Sequence, residues 1–136
     1  MRKQRHQTPD AYNCPVEAAL DLLGGKWKGV ILYRLGQRTM RFNELCRVLC
    51  KLSPRVLTKQ LRELEADGLV HREVFAEVPP RVEYSLTAKG EAALPIIQSL
   101  SMWGMEHVLH GQPTAAMIEN GDVAAMNQGA LGNASS

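Results

Sequence analysis

Ser53-Pro54-Arg55-Val56-Leu57-Thr58-Lys59-Gln60-Leu61-Arg62-Glu63-Leu64-Glu65-Ala66-Asp67-Gly68 is the stretch on which the reading of this 136-residue chain turns. Ser53 is a good N-cap, Pro54 suits the next position and Asp67-Gly68 supplies a stop, so the residues between read as one helix. At about 100° per residue, Leu57, Leu61 and Leu64 cluster on one face, and Arg55, Thr58, Lys59 and Arg62 on the opposite one. The leucine face docks on a core and leaves the basic face free. Such a face fits the major groove of B-DNA, where arginine bridges the acceptors of guanine, threonine touches a base or phosphate, and lysine neutralises phosphates. The helix opening, Ser53 to Val56, can hold a phosphate on its first-turn amides, and Lys51 just before it reads as a phosphate contact. An ordinary amphipathic surface helix with solvated cations is the alternative for this segment taken by itself.

Working outward, Pro15 suits the first position of a helix carrying Val16, Ala19, Leu20 and Leu23, which stops at Gly24-Gly25. Trp27, Val30, Ile31 and Leu35 define a second helix, closed by Gly36, and a short third helix over 41–49 presents Leu45, Val48 and Leu49. After the fourth helix, the β-branched runs 69–74 and 82–86 flank Glu77-Val78-Pro79-Pro80, which predicts two strands and a turned loop, a wing carrying Arg81. Thr87 can cap a last helix from Ala88 to His107, with Leu94, Ile97, Leu100 and Trp103 or Gly104 on one side and Pro95 as a site of bending. The predicted fold is mainly α with a small β-hairpin, in the order α-α-α-α-β-β-α. A short helix before the basic one and a wing after it favour the DNA reading over the solvated-face one, because the wing can reach backbone or minor groove. Asn43 and Glu44 read as residues that cap or orient the third helix.

Charge supports the same interpretation. Residues 26–62 hold ten basic side chains against Glu44 alone, a net +9, and the remainder of the chain, six basic against thirteen acidic, is −7. A polyanion-binding surface on an otherwise acidic body gives this asymmetry. No run of about 18 apolar residues and no apolar segment behind the basic amino terminus is present, so neither a membrane span nor a secretory signal is read, and a cytoplasmic protein is expected. Residues 1–11 are expected to be a flexible basic arm, 12–109 one domain, and 110–136 a tail without order.

Five blocks carry a resemblance to a known family: Cys14-Pro15-Val16, Leu23-Gly24-Gly25-Lys26-Trp27, Arg41-Phe42-Asn43-Glu44-Leu45, the long block from Ser53 through Leu69-Val70, and Val82-Glu83-Tyr84-Ser85-Leu86-Thr87-Ala88-Lys89-Gly90. In this order, over residues 12–108, they resemble the HxlR family of winged helix-turn-helix regulators, which are similar in general fold to the MarR group. The resemblance implies a homodimer formed by the first and last helices, recognition helices one DNA turn apart, a palindromic double-stranded operator, and repression. The family pattern often has Pro-Gly-Ile-Ser before the recognition helix, where this chain has Cys50-Lys51-Leu52-Ser53. That change bears on which operator is read.

Cys14, Cys46 and Cys50 cannot all pair within one chain and fit no common zinc spacing, so they read as reduced thiols without a metal, and no cofactor is called for. Cys14 precedes the start of the first helix, whose dipole favours a reactive thiol. The resemblance implies that a cysteine at this position senses electrophiles, quinones or oxidants and can form an intersubunit disulfide; the alternative is packing in a dimer interface. Cys46 and Cys50 read as buried or half-buried thiols, with Cys50 a possible secondary oxidation site. Trp27 and Trp103 are candidates for the dimer core or for a pocket taking a small non-covalent effector. A regulator with no sensor is a further alternative. An enzyme with Cys14 as nucleophile is disfavoured, because His6, His71, His107 and His110 show no spacing that places a base beside it. A non-specific architectural DNA-binding protein is disfavoured by the confinement of basic charge to one segment.

Overall fold

The structure, a computed structural model, describes residues 8–122. Most of the basic arm expected at residues 1–11 and the end of the expected tail, 123–136, lie outside the described residues.

Pro9–Ala11 form a single 3-10 turn, and Pro15 then opens helix α1 (Pro15–Leu23), which ends at Gly24 as predicted. Helix α2 (Lys28–Gln37) runs straight through Gly36, which was expected to close it. A Cβ at Gly36 would come within 2.5 Å of Leu94 Cδ2, so this glycine serves close packing and not termination. Strand β1 (Met40–Arg41) leads directly into helix α3 (Phe42–Val48). Glu44, as expected, orients α3: its carboxylate accepts the Arg41 amide at 3.0 Å and the Arg38 guanidinium at 2.7 Å. The backbone amide of Arg41, and after it Arg38, hold the Glu44 carboxyl below its ordinary value of 4.5.

Helix α4 (Pro54–Ala66) follows, then strands β2 (Val70–Phe75) and β3 (Arg81–Leu86). The sheet has three strands in the order β1-β3-β2, both pairings antiparallel. The expected hairpin therefore gains an edge from β1, whose two residues are too few to show an alternating pattern. Ile31, Leu32 and Leu35 of α2, Leu45 of α3, the three leucines of α4, and Val70 and Tyr84 of the sheet are buried together as the core.

Helix α5 (Ala88–His107) has the predicted bounds, with Pro95 inside it. Thr87 caps it by accepting the Gly90 amide at 3.1 Å, and also donates its hydroxyl to the Gly68 carbonyl at 2.6 Å. Lys89 Nζ donates to the Asp67 carbonyl at 2.8 Å, so the C-terminal end of α4 is tied to the start of α5. A side chain at Gly90 would run into the Leu69 carbonyl oxygen, which explains the glycine in a helix at this point. Short helix α6 (Ala115–Glu119), capped by the Thr114 hydroxyl, corrects the expectation of no order from residue 110; its five residues are too few for apolar periodicity to be visible. The chain divides into two compact units, Met1–Leu94 and Pro95–Ser136.

No residue of α1 is buried, and Val16 and Leu20 are 64% and 60% exposed. In the second unit Ile96, Leu100 and Trp103, at i, i+4 and i+7 of α5, are exposed while Ile97 is buried. The side of α5 expected to carry Leu94, Ile97, Leu100 and Trp103 together is thus split between a covered and an uncovered stripe. Among the described residues, no helix is long and apolar enough to cross a membrane.

Two of the ten basic residues of segment 26–62 are not available to a ligand: Lys28 and Arg34 are buried. Lys28 Nζ lies 2.7 Å from Glu63 Oε1, an ion pair joining α2 to α4 with the Lys28 side chain 8% exposed. Removing Glu63 leaves a buried ammonium uncompensated, so Glu63→Ala should cost about 3 kcal/mol and lower the melting temperature by roughly 10 °C. The double variant Lys28→Met with Glu63→Leu should recover most of that loss, and thermal melts of the two proteins distinguish this from mere loss of packing.

Candidate nucleic-acid interface

Ser53 adopts extended backbone angles and its Oγ accepts the Val56 amide at 3.2 Å, which nucleates α4 as predicted. The Ser53 hydroxyl hydrogen remains to be donated outward. Pro54 has no amide hydrogen and the Leu57 amide bonds to the Ser53 carbonyl, so the Arg55 amide is the first-turn donor without an intrahelical acceptor. Leu57, Leu61 and Leu64 are 0%, 2% and 0% exposed, while Ser53, Arg55, Val56, Lys59 and Arg62 are exposed. The leucines and the cations therefore stand on opposite sides of α4, as the periodicity requires. Gly68, at φ 77°, ends the helix in the left-handed conformation that glycine adopts without strain.

Thr58 sits between these faces, half-buried, and its hydroxyl donates to the Pro54 carbonyl at 2.8 Å. With its hydrogen engaged, Thr58 offers a methyl group and an oxygen lone pair, a surface suited to a thymine methyl and not to a phosphate. Leu52 is buried and pins the turn before α4, which leaves Lys51 and Cys50 exposed beside the helix entrance.

The wing holds its predicted DNA contact in an intramolecular network. Arg81 was expected to reach DNA, but its Nη1 is 3.3 Å from Glu77 Oε1 and its Nε 3.2 Å from Glu83 Oε2, the latter an ion pair without hydrogen-bond alignment. Its guanidinium also lies 4.1 Å from the centre of the Phe75 ring. Two carboxylates and an aromatic face thus hold the group within the wing. The strand register explains why: Phe75 pairs with Arg81 and Glu73 with Glu83, so these side chains share the outer face.

The opposite face of the wing carries a residue that sequence reasoning passed over. Val70, Arg72 and Val74 pair with Leu86, Tyr84 and Val82, so Arg72 stands on the face turned toward α4. The available signal was a cation interrupting an inward apolar alternation. An open groove of about 560 Å³ runs between α4 and this face, based on Phe42, Leu61, Val82 and Tyr84. Arg62, Glu65 and Arg72 form its exposed margin.

Cys14 is exposed and free, at the N-cap position of α1, and Cys50 is exposed where a half-buried thiol was expected, because the turn before α4 buries Leu52 in its place; Cys46 is half-buried. Trp27 is half-buried with Lys26 Nζ 5.1 Å from its ring centre. Trp103, in the other unit, is 59% exposed and its ring centre lies 5.2 Å from that of His107.

This arrangement of a capped basic helix, a short helix before it and a two-stranded wing after it, edged by β1, has counterparts among known regulators. A profile described as HxlR-like helix-turn-helix matches residues 22–112. The uncharacterized HTH-type transcriptional regulator YybR of Bacillus subtilis (strain 168) is 49% identical over 104 residues, covering 76% of this chain and 83% of that protein. Among solved structures, the redox regulator HypR in its oxidized form is similar at a TM-score of 0.67 and 52% identity, over 69% of this chain and 97% of that one. Diamide-treated YodB from B. subtilis is similar at a TM-score of 0.60 and 36% identity, over 69% and 94% of the respective chains. The geometry of α4 and its wing, the profile match and these relatives together make the chain a transcriptional regulator of the HxlR-like helix-turn-helix family.

Proposed function

We propose that this chain is a homodimeric, sequence-specific repressor that binds a palindromic DNA operator through α4. The observation that carries the reading is the exposed basic face of α4, held outward by three buried leucines. Arg55 reads base edges near the helix start, with Val56 and Thr58 in apolar contact beside it, while Lys59, Arg62 and Lys51 meet phosphates. Ser53 and the Arg55 amide add a phosphate contact at the positive end of the helix dipole. Arg81 drops out of the contact set because its charge is already satisfied within the wing.

Dimerisation is supported by the exposed apolar residues Val16 and Leu20 of α1 and Ile96, Leu100 and Trp103 of α5, which a second copy would cover. The sign of regulation, repression, follows the family resemblance. Control by thiol chemistry at Cys14 is supported by its exposure and by the similarity to HypR and YodB, solved in oxidized and diamide-treated forms. In this reading, oxidation or alkylation of Cys14 at the start of α1 alters the dimer and so the distance between the two α4 helices.

Selection of duplexes from a random pool by the purified chain should recover an inverted repeat with half-sites about 10 bp apart. Arg55→Ala should then weaken binding to the selected duplex by about 1–3 kcal/mol while hardly changing binding to a scrambled one, and equal losses on both would remove Arg55 from base reading. Diamide or a quinone should change the affinity of the wild-type protein and leave Cys14→Ser unaffected in the same gel-shift titration; an equal response in both would exclude Cys14 as the control point.

A further inference from the structure

We propose that Arg62 and Arg72 clamp, from two sides, the DNA phosphate strand that separates the groove entered by α4 from the groove beside it; this rests on α4 being the DNA-reading helix. A duplex presents major and minor grooves divided by a phosphodiester strand, and a protein that seats a helix in one and a wing over the other must straddle that strand. In this chain the space between helix and wing is the open groove of about 560 Å³, and its margin brings Arg62 from α4 and Arg72 from β2 to one site. Both are exposed, and neither makes an ion pair with a described residue.

The two faces of the wing decide which cation is available. On the outer face, Glu73 stands opposite Glu83, and Arg81 is shared between Glu77 and Glu83. Arg41 of β1 also stands opposite Glu83 on this face, so its two arginines meet three carboxylates and leave no excess of positive charge for a polyanion. The face toward α4 carries Arg72 among Val70, Val74, Val82, Tyr84 and Leu86, so its charge is positive. Glu65 lies on the same margin and leaves the site at a net +1, enough to favour one phosphate and too little to hold several. Planar guanidinium groups suit the task because each presents paired donors to phosphate oxygens, and the apolar base excludes water from one side of the contact.

The test uses the full chain and a duplex that the wild-type protein selects from a random pool, with affinity followed by anisotropy over about 50 to 300 mM salt. Arg72→Gln should reduce the log–log salt slope by about 1 and weaken binding about tenfold, to a similar degree on selected and scrambled duplexes. Arg72→Lys should keep the slope, and Arg81→Gln should match the wild type. A wild-type slope in Arg72→Gln, or the same loss in Arg81→Gln, would overturn the clamp. Should Arg72→Gln fail to fold, the Arg72 Nε–Hε resonance of the wild-type protein replaces it: a shift on adding duplex supports the clamp and an unmoved resonance overturns it. Failure of the wild-type protein to select any duplex is a separate result, which removes the DNA-binding reading and the clamp together.

Discussion

Burial of Leu57, Leu61 and Leu64 against the core is the constraint on which the other features depend. Each fully buried leucine contributes about 2 kcal/mol relative to exposure, so α4 cannot rotate about its axis without exposing a side chain it needs to bury. That fixes the direction in which Arg55, Lys59 and Arg62 point. The Lys28–Glu63 ion pair fixes the same helix against α2, and the bonds from Thr87 and Lys89 to the Gly68 and Asp67 carbonyls fix its end against α5. A helix held at its face, flank and end presents its basic stripe without further ordering cost, which is what reading base edges within a few tenths of an ångström demands.

Much of this was legible in the chain because the determinants are local. The cap at Ser53, the proline after it, the leucine spacing and the Asp67-Gly68 stop all act within one helix, and the bounds of α4 follow from them. Thr87 and the α5 span were legible for the same reason. What escaped depends on partners distant in sequence. Gly36 looks like a terminator until Leu94 is placed against it, and β1 becomes a strand only by pairing with β3.

The wing shows the limit most clearly. Arg81 and Arg72 are both cations in a hairpin, and nothing in their immediate neighbours ranks one above the other as a DNA contact. The strand register does: it sets Arg81 among Glu77, Glu83 and Phe75, and turns Arg72 toward α4. In the same way the net +9 of segment 26–62 overstates the charge on offer, because Lys28 and Arg34 are buried and Arg38 is paired with Glu44. Of the remaining exposed cations, Lys51, Arg55, Lys59 and Arg62 lie on α4 and its entrance, on a chain whose residues outside 26–62 sum to a net −7. Such a confined field steers a duplex to one face without binding polyanions everywhere.

The central claim is that duplex DNA is bound by the outward face of α4. Amide and arginine side-chain NMR resonances of the isotopically labelled protein, followed while a selected duplex is added, test it most directly. The account predicts that the largest shifts fall on residues 51–62 and on Arg72, with the outer wing residues Glu73, Arg81 and Glu83 little changed. Shifts concentrated on the outer wing or on α1, with α4 unmoved, would contradict it.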